Sequence, residues 1–163
     1  MKIITLILFT VILNACSGAK EASNATSTES SDKIQTEKMM KDIQNLDVAL
    51  EYSAITRGSY YVLKINNKKV SFQKNRSDKP TVKSIKDIDW KDLMLLVDIT
   101  DLKGMSEMKA PSKARLYDGA PIGEFKIIKD GETYAVPNFD AGKPNKGLAE
   151  LINKMLAIAK EKE

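Results

Sequence analysis

Two Gly- and Pro-bearing segments hold the residues best suited to chemistry. One reads Arg115-Leu116-Tyr117-Asp118-Gly119-Ala120-Pro121-Ile122-Gly123, the other Pro137-Asn138-Phe139-Asp140-Ala141-Gly142-Lys143-Pro144-Asn145. Asp118 and Asp140 could share a ligand, work as an acid–base pair or hold a hard cation weakly, with Arg115 and Tyr117 as companions. Neither segment has the alternating Asp/Asn spacing of a calcium loop, and turns alone account for the Gly and Pro in both. Arg115, Tyr117, Asp118 and Asp140 are therefore candidates for ligand binding. None of them is assigned a catalytic or metal-ligating role.

Composition narrows the chemistry further. The 163 residues include no histidine and a single cysteine, Cys16. Ser-His-Asp triads, histidine acid–base catalysis, His-ligated zinc, Cys-rich metal sites and CxxC redox chemistry are all excluded. Neither GxGxxG nor GxxxxGK[ST] occurs, so no cofactor is expected. Met39, Met40, Met105 and Met108 could suggest soft-metal capture, but core filling is the simpler account of methionine. The composition predicts a protein that is not an enzyme.

Charge supplies a second candidate. The chain has 26 basic and 22 acidic residues, formally +4, too mild a balance to imply a nucleic-acid partner. Between residues 64 and 86, however, Lys64, Lys68, Lys69, Lys74, Arg76, Lys79, Lys83 and Lys86 face one acid, Asp78. Lys64, Lys68, Lys69, Lys74 and Arg76 are candidates for an anionic-surface patch, since a basic group near such a membrane contributes about 1 kcal/mol. The competing account is a Lys-rich exposed sheet edge that discourages strand-to-strand aggregation.

The elements that must position these residues are legible as alternation. Val48, Leu50, Tyr52 and Ala54 alternate with Ala49, Glu51 and Ser53; Tyr61, Leu63 and Ile65 form a second apolar face, and Val70 and Phe72 a third. A turn at Arg57-Gly58, with Gly58 taking positive φ, pairs Ala54 with Tyr61, Tyr52 with Leu63 and Leu50 with Ile65. A turn at Asn66-Asn67 would pair Leu63 with Val70 and Tyr61 with Phe72, and would set Lys64 across from Lys69. A helix follows, with Asp89 as N-cap, Asp92 at N3 and Ile88 stapled on Leu93. Its buried face is Trp90, Leu93, Met94, Leu96 and Val97, and it ends near Ile99, ahead of an irregular stretch from Thr100 to about Ala114.

Asp130-Gly131 then centres a hairpin that sets Phe125 opposite Val136, Ile127 opposite Tyr134, and Lys129 opposite Glu132. Its strands lead to both candidate loops, which must lie at the same end of the sheet. Leu148, Leu151, Ile152, Met155, Leu156 and Ala159 mark a closing amphipathic helix. The order β-β-β-α-loop-β-β-α predicts an α+β domain over residues 34–163. Its antiparallel sheet of about five strands carries two amphipathic helices on one face.

The N-terminus carries a different kind of information. Lys2 precedes eleven uncharged residues, Ile3–Leu13, the pattern of a secretory signal peptide and too short for a membrane-spanning helix of roughly 20 residues. Leu13-Asn14-Ala15-Cys16 resembles the lipobox of bacterial lipoproteins, although Asn14 is a less usual occupant of its place. The resemblance implies cleavage of residues 1–15 and lipidation of Cys16, leaving no free thiol. Lys2 is the only charge removed, so the remainder is formally +3. Residues 16–33 are small and polar and read as a tether, with an end-to-end distance of roughly 20–25 Å. Ile34–Leu46 could add a short lead-in helix, although its apolar spacing is irregular.

Thr56-Arg57-Gly58-Ser59, Leu116-Tyr117-Asp118-Gly119-Ala120 and Phe139-Asp140-x-Gly-x-Pro144 before a final helix together resemble small lipoproteins of Bacteroidota. That resemblance implies an architecture and a compartment, with no activity attached. Ser17 differs from the Asp of the inner-membrane retention signal of enteric bacteria, and Lys20-Glu21-Ala22 matches the surface-export pattern of Bacteroidota only in part. Outer-membrane anchoring is expected, on the periplasmic face or at the cell surface. The expected partners are the membrane itself, through Cys16, and an envelope protein, a glycan or anionic lipid. The favoured function is a non-enzymatic binding or scaffolding module. The alternatives are a protein inhibitor or assembly chaperone, and a carboxylate-based cell-wall hydrolase using Asp118 and Asp140.

Overall fold

Apolar and polar side chains alternate through β1 (Val48–Ile55), β2 (Tyr60–Asn66) and β3 (Lys69–Gln73), burying Val48, Leu50, Tyr52, Leu63, Ile65, Val70 and Phe72 on one face. A computed structural model describes residues 47–117 and 119–163. Cys16, the expected signal peptide and tether, the expected lead-in segment Ile34–Leu46 and Asp118 lie outside the described residues. After β3 come β4 (Thr81–Ser84), α1 (Asp87–Asp98), β5 (Ile122–Lys129), β6 (Glu132–Ala135), β7 (Phe139–Asp140) and α2 (Lys146–Lys162). Short 3-10 turns at Lys103–Glu107 and Ala114–Leu116 break up the long connection before β5.

The fold is α+β, with seven antiparallel strands. Six follow the order β4-β3-β2-β1-β5-β6, and β7 pairs with β5. The two strands beyond the expected five carry little sequence signal. β4 has one apolar residue, the exposed Val82, just after Pro80, and β7 is two residues long. Both helices cover the same face. Trp90, Leu93, Met94 and Val97 of α1 and Leu148, Leu151, Ile152, Met155, Ile158 and Ala159 of α2 close the core.

The β1–β2 register has the expected pairs Leu50↔Ile65, Tyr52↔Leu63 and Ala54↔Tyr61. Its turn differs in detail. Thr56 Oγ1 accepts from the amides of Gly58 (3.0 Å) and Ser59 (3.1 Å), and Gly58 has no positive φ. The β2–β3 turn is displaced by one residue, to Asn67-Lys68, both at positive φ (48° and 56°). Ile65 therefore pairs with Val70 and Leu63 with Phe72, a shift of two that keeps every apolar side chain on the core face. Lys64 faces Ser71 across this hairpin, and Lys69 faces Asn66.

The Asp130-Gly131 turn (φ 53° and 81°) gives the expected Ile127↔Tyr134 and Lys129↔Glu132 pairs. The Val136 amide donates to the Phe125 carbonyl, as that register requires. Lys129 turns away from Glu132 toward Asp98, 3.8 Å away.

Helix α1 begins two residues before the expected cap. Lys86 is the N-cap, with no side-chain capping bond, and its carbonyl accepts from the Trp90 amide. Asp89 lies inside the first turn, where its charge favours the helix dipole, and it accepts from Lys154 of α2 at 2.9 Å. Lys154 also reaches Asp92, and the two carboxylates raise its pKa. Ile88 staples nothing and is exposed. Helix α2 has a side-chain cap, Asn145 accepting from the Gly147 amide. It buries Ile158 in addition to the expected stripe, and Leu156 is only partly buried.

Strand directions define two ends of the sheet. At the entry end lie Asp47, the Asn67-Lys68 and Asp130-Gly131 turns and the start of α1. At the far end lie the Thr56–Ser59 turn, the start of β5, and β7.

Candidate functional site

The far end is organised around Asp140. Strand β7 lies against the start of β5, pairing Ile122 with Asp140 and Gly123 with Phe139, and the Ala141 amide donates to the Pro121 carbonyl. Phe139 anchors the strand, buried with its ring 6.4 Å from that of Tyr52 and directly over Gly123, where a Cβ would stand 2.7 Å from Cε2. The chain then turns through Gly142 at φ 82°. Burial pushes the Tyr52 hydroxyl up in pKa, partly offset by the Gly142 amide, which donates toward its oxygen.

Asp140 is 2% exposed, the one buried charged residue in the described core. Its Oδ2 accepts from the Ala114 amide at 2.8 Å, and its Oδ1 from the Arg115 amide at 2.9 Å and the Arg115 guanidinium at 3.2 Å. The pKa is held well below the usual carboxylate range. The Ser112 hydroxyl is the largest influence, buried beside the carboxylate but outside ideal hydrogen-bond geometry. The two amides and the guanidinium act with it, against burial. Arg115 is fixed in turn by donating to the Ser112 carbonyl at 2.8 Å.

Arg115 and Asp140 thus come together at one end of the sheet, as the hairpin topology requires. What they form is a buried clamp that caps the Ala114–Leu116 turn. A general acid or base works best with a pKa near the operating pH, and the Asp140 carboxylate has neither that pKa nor free acceptor positions directed at solvent. Asp140 positions the loop. Tyr117, next to it, points outward and is 80% exposed.

Tyr117 has apolar company that sequence reasoning missed. Leu116 is 62% exposed and Ile122 40% exposed. Ile122 pairs with Ile55, which pairs with Tyr60, so the three share a row on the sheet face opposite the helices. Arg76 lies over the Tyr60 ring, 5.2 Å from its centroid, and reaches the Thr56 carbonyl. The sequence signal for this tip is the Leu116-Tyr117 pair set between the charged Arg115 and Asp118.

The basic window does not make one patch. Lys68 and Lys69 stand at the entry end; Lys74 and Arg76 follow β3 at the far end. Five residues of strand separate Lys69 from Lys74, about 17 Å. Carboxylates hold several of these groups: Lys64 on Glu51 (3.1 Å), Lys68 on Asp87 (2.7 Å), Lys74 on Glu163 (2.8 Å) and Lys86 on Glu161 (2.5 Å). Among the described residues Lys69, Lys79 and Lys83 have no carboxylate within 4 Å.

The sheet face opposite the helices carries an open groove of about 400 Å³, floored by Glu51, Ser53, Val62, Lys64, Glu124 and Lys126. Glu51 bridges Lys64 and Lys126 across three strands. Burial pushes its pKa up, but the two lysines outweigh burial and lower it. Ser53 donates to Glu124. This face is polar in its middle and apolar toward the tip.

No family model matches the chain, and no match emerges among curated proteins or among solved structures.

Proposed function

We propose that this chain is an envelope lipoprotein, anchored through Cys16, that displays a non-enzymatic binding domain whose contact surface is the far end of the sheet. The observation that carries the reading is the placement of exposed Leu116, Tyr117 and Ile122 at the end opposite the point where the chain enters at Asp47. With the anchor lying N-terminal to Asp47, at the entry end, this reading has the apolar tip facing outward. Aromatic and arginine side chains together are typical of contact surfaces, and here Tyr117, Tyr60 and Arg76 supply them. The buried Asp140–Arg115 clamp keeps the loop in shape before any partner arrives, which lowers the ordering cost of binding. The cell-wall hydrolase reading gains no support from Asp140, whose carboxylate is occupied by the loop it holds.

Two arms test the proposal in cells that carry the full chain. Cys16→Ala should abolish incorporation of labelled fatty acid and move the protein out of the membrane fraction. A photo-crosslinking residue at position 117 should give a discrete adduct, and one at position 133, on the β6 edge near the entry end, should not. Lipidation that survives Cys16→Ala would refute the anchor, and equal labelling from both positions would refute the tip.

A further inference from the structure

Strand β4 ends the sheet on the side away from β5, and no described strand lies beyond it. The other outermost strand, β6, has the Lys103–Glu107 turn packed against it. In an antiparallel pair, alternate residues aim both backbone groups at the neighbouring strand, and the residues between aim theirs away. The Ile85 amide donates to the Lys68 carbonyl, so Thr81, Lys83 and Ile85 are the residues that bond inward to β3. Val82 and Ser84 therefore offer their N–H and C=O groups outward. Pro80, which has no N–H, closes this row at the far end.

The side chains along the edge select what can pair with it. Val82, on the open face opposite Ser71, is 56% exposed. Lys83, opposite Val70, emerges exposed on the helix side. Lys69 stands one strand in, opposite Ser84, and only that small side chain separates it from the edge. Among the described residues neither lysine has a carboxylate within 4 Å. The neighbouring acids are engaged elsewhere: Asp87 with Lys68, Glu161 with Lys86, Glu163 with Lys74, and Asp78 with the Asn75 side-chain amide at 2.6 Å. Like charges repel a second β4 laid alongside, so the edge excludes copies of itself and suits an acidic strand.

We propose that β4 receives an acidic extended segment of a partner protein by strand addition. The partner's backbone bonds the outward groups of Val82 and Ser84. It places an apolar side chain beside Val82 and acids beside Lys83 and Ser84, the second within reach of Lys69. This surface lies four strands from β5 and Ile122, and it does not depend on the far-end tip.

Amide exchange resolved at single residues, on the full chain purified in detergent, tests this. The probe is the peptide acetyl-Thr-Thr-Val-Glu-Glu-Val-Thr-Thr-amide, whose side-chain pattern reads the same in either strand direction. Saturating peptide should slow the Val82 and Ser84 amides at least about tenfold and leave Thr81 and Lys83, already bonded, little changed. Lys69→Glu with Lys83→Glu should weaken binding at least about tenfold. Val82→Pro, which deletes an outward N–H that β3 does not use, should weaken it as much. Both variants should keep the Trp90 emission of the folded protein. No slowing at Val82 and Ser84 would overturn the proposal. So would equal slowing by the lysine counterpart of the peptide, or by a version N-methylated on its four central amides. Amides slow before peptide is added would mean that this chain or a second copy covers the edge. Equal slowing by phosphatidylglycerol vesicles would assign the lysines to a membrane, and either result refutes the strand partner.

Discussion

Gly123→Ala gives the sharpest test of how the far end is held together. A Cβ at this position would stand 2.7, 3.0 and 3.1 Å from Cε2, Cδ2 and Cζ of Phe139. Carbon atoms prefer about 3.5–4.0 Å, so the ring must retreat by up to about 1 Å. It has nowhere to go, being 1% exposed and packed against Tyr52. The strain therefore passes to the backbone, where only the pairs Gly123↔Phe139 and Ile122↔Asp140 join β7 to β5. Overpacking of this kind costs about 1–3 kcal/mol, and the loss of glycine freedom in the unfolded chain returns about 0.4–1 kcal/mol. A net destabilisation centred on about 1.3 kcal/mol should lower a urea midpoint by roughly 0.4–1.3 M at slopes of about 1–3 kcal/mol/M.

The buried Trp90, the chain's single tryptophan, supplies the fluorescence signal. Gly58→Ala is the control, because a Cβ there meets nothing within 4 Å and its φ is not positive. It should be neutral or stabilising by about 0.4–1 kcal/mol. Gly123→Ala as stable as the unsubstituted protein would refute the packing argument. Equal destabilisation by both substitutions would do the same, since only one of them meets Phe139.

Two further outcomes follow from the charged groups. Asp140→Asn should loosen the 112–117 segment and change the acid limb of stability. A depressed carboxylate stabilises the fold above its ordinary pKa of 3.8 and loses that contribution as pH falls through its much lower folded value. Below pH 3.8 the substituted protein should therefore show a flatter decline, read from thermal melts across pH. Lys154→Met strips Asp89, 18% exposed, of its 2.9 Å partner, and it should destabilise more than the double variant Lys154→Met with Asp89→Asn. A strictly additive pair would remove the case for coupling between α1 and α2 through this ion pair.

The sequence was most readable where packing repeats itself. Alternation in Val48–Ala54 and Tyr61–Ile65 sets the β1–β2 register, because a slip of one residue would turn Leu50 and Leu63 to solvent. A slip of two leaves no such trace, so Asn66-Asn67 and Asn67-Lys68 satisfy the same apolar face. Pairing of the fully buried Ile65 with Val70 selects the second and forces Lys68 into positive φ. Strand β4 is silent for the opposite reason, drawing its conformation from the ladder with β3 and almost nothing from its own burial. Asp89 looks like a cap locally, but its partner Lys154 lies 65 residues away. At the site, hairpin topology is enough to bring Arg115 and Asp140 to one end. The role of Asp140 is not legible, because the amides of Ala114 and Arg115 that it satisfies carry no mark in the residue types.

The basic window calls for a prediction that divides it. Screening at physiological salt acts over about 8 Å, and the roughly 17 Å of strand between Lys69 and Lys74 exceeds that length. A membrane approached from the entry end meets Lys68, Lys69 and Lys83; Lys74 and Arg76 stand at the opposite end. Lys68 already pairs with Asp87, whose 83% exposure makes that pair a weak competitor for lipid. With about 1 kcal/mol per basic group at an anionic surface, neutralising Lys68 and Lys69 together should weaken binding to phosphatidylglycerol vesicles by about 10- to 30-fold. Neutralising Lys74 and Arg76 should change it by less than about twofold. Cosedimentation of the chain carrying Cys16→Ala, so that no lipid anchor contributes, carried out below saturation, separates the two variants. Equal losses from both pairs would mean that the protein meets the surface side-on. In that case the far-end tip could not point away from the membrane, and the display geometry argued from Asp47 would fail with it.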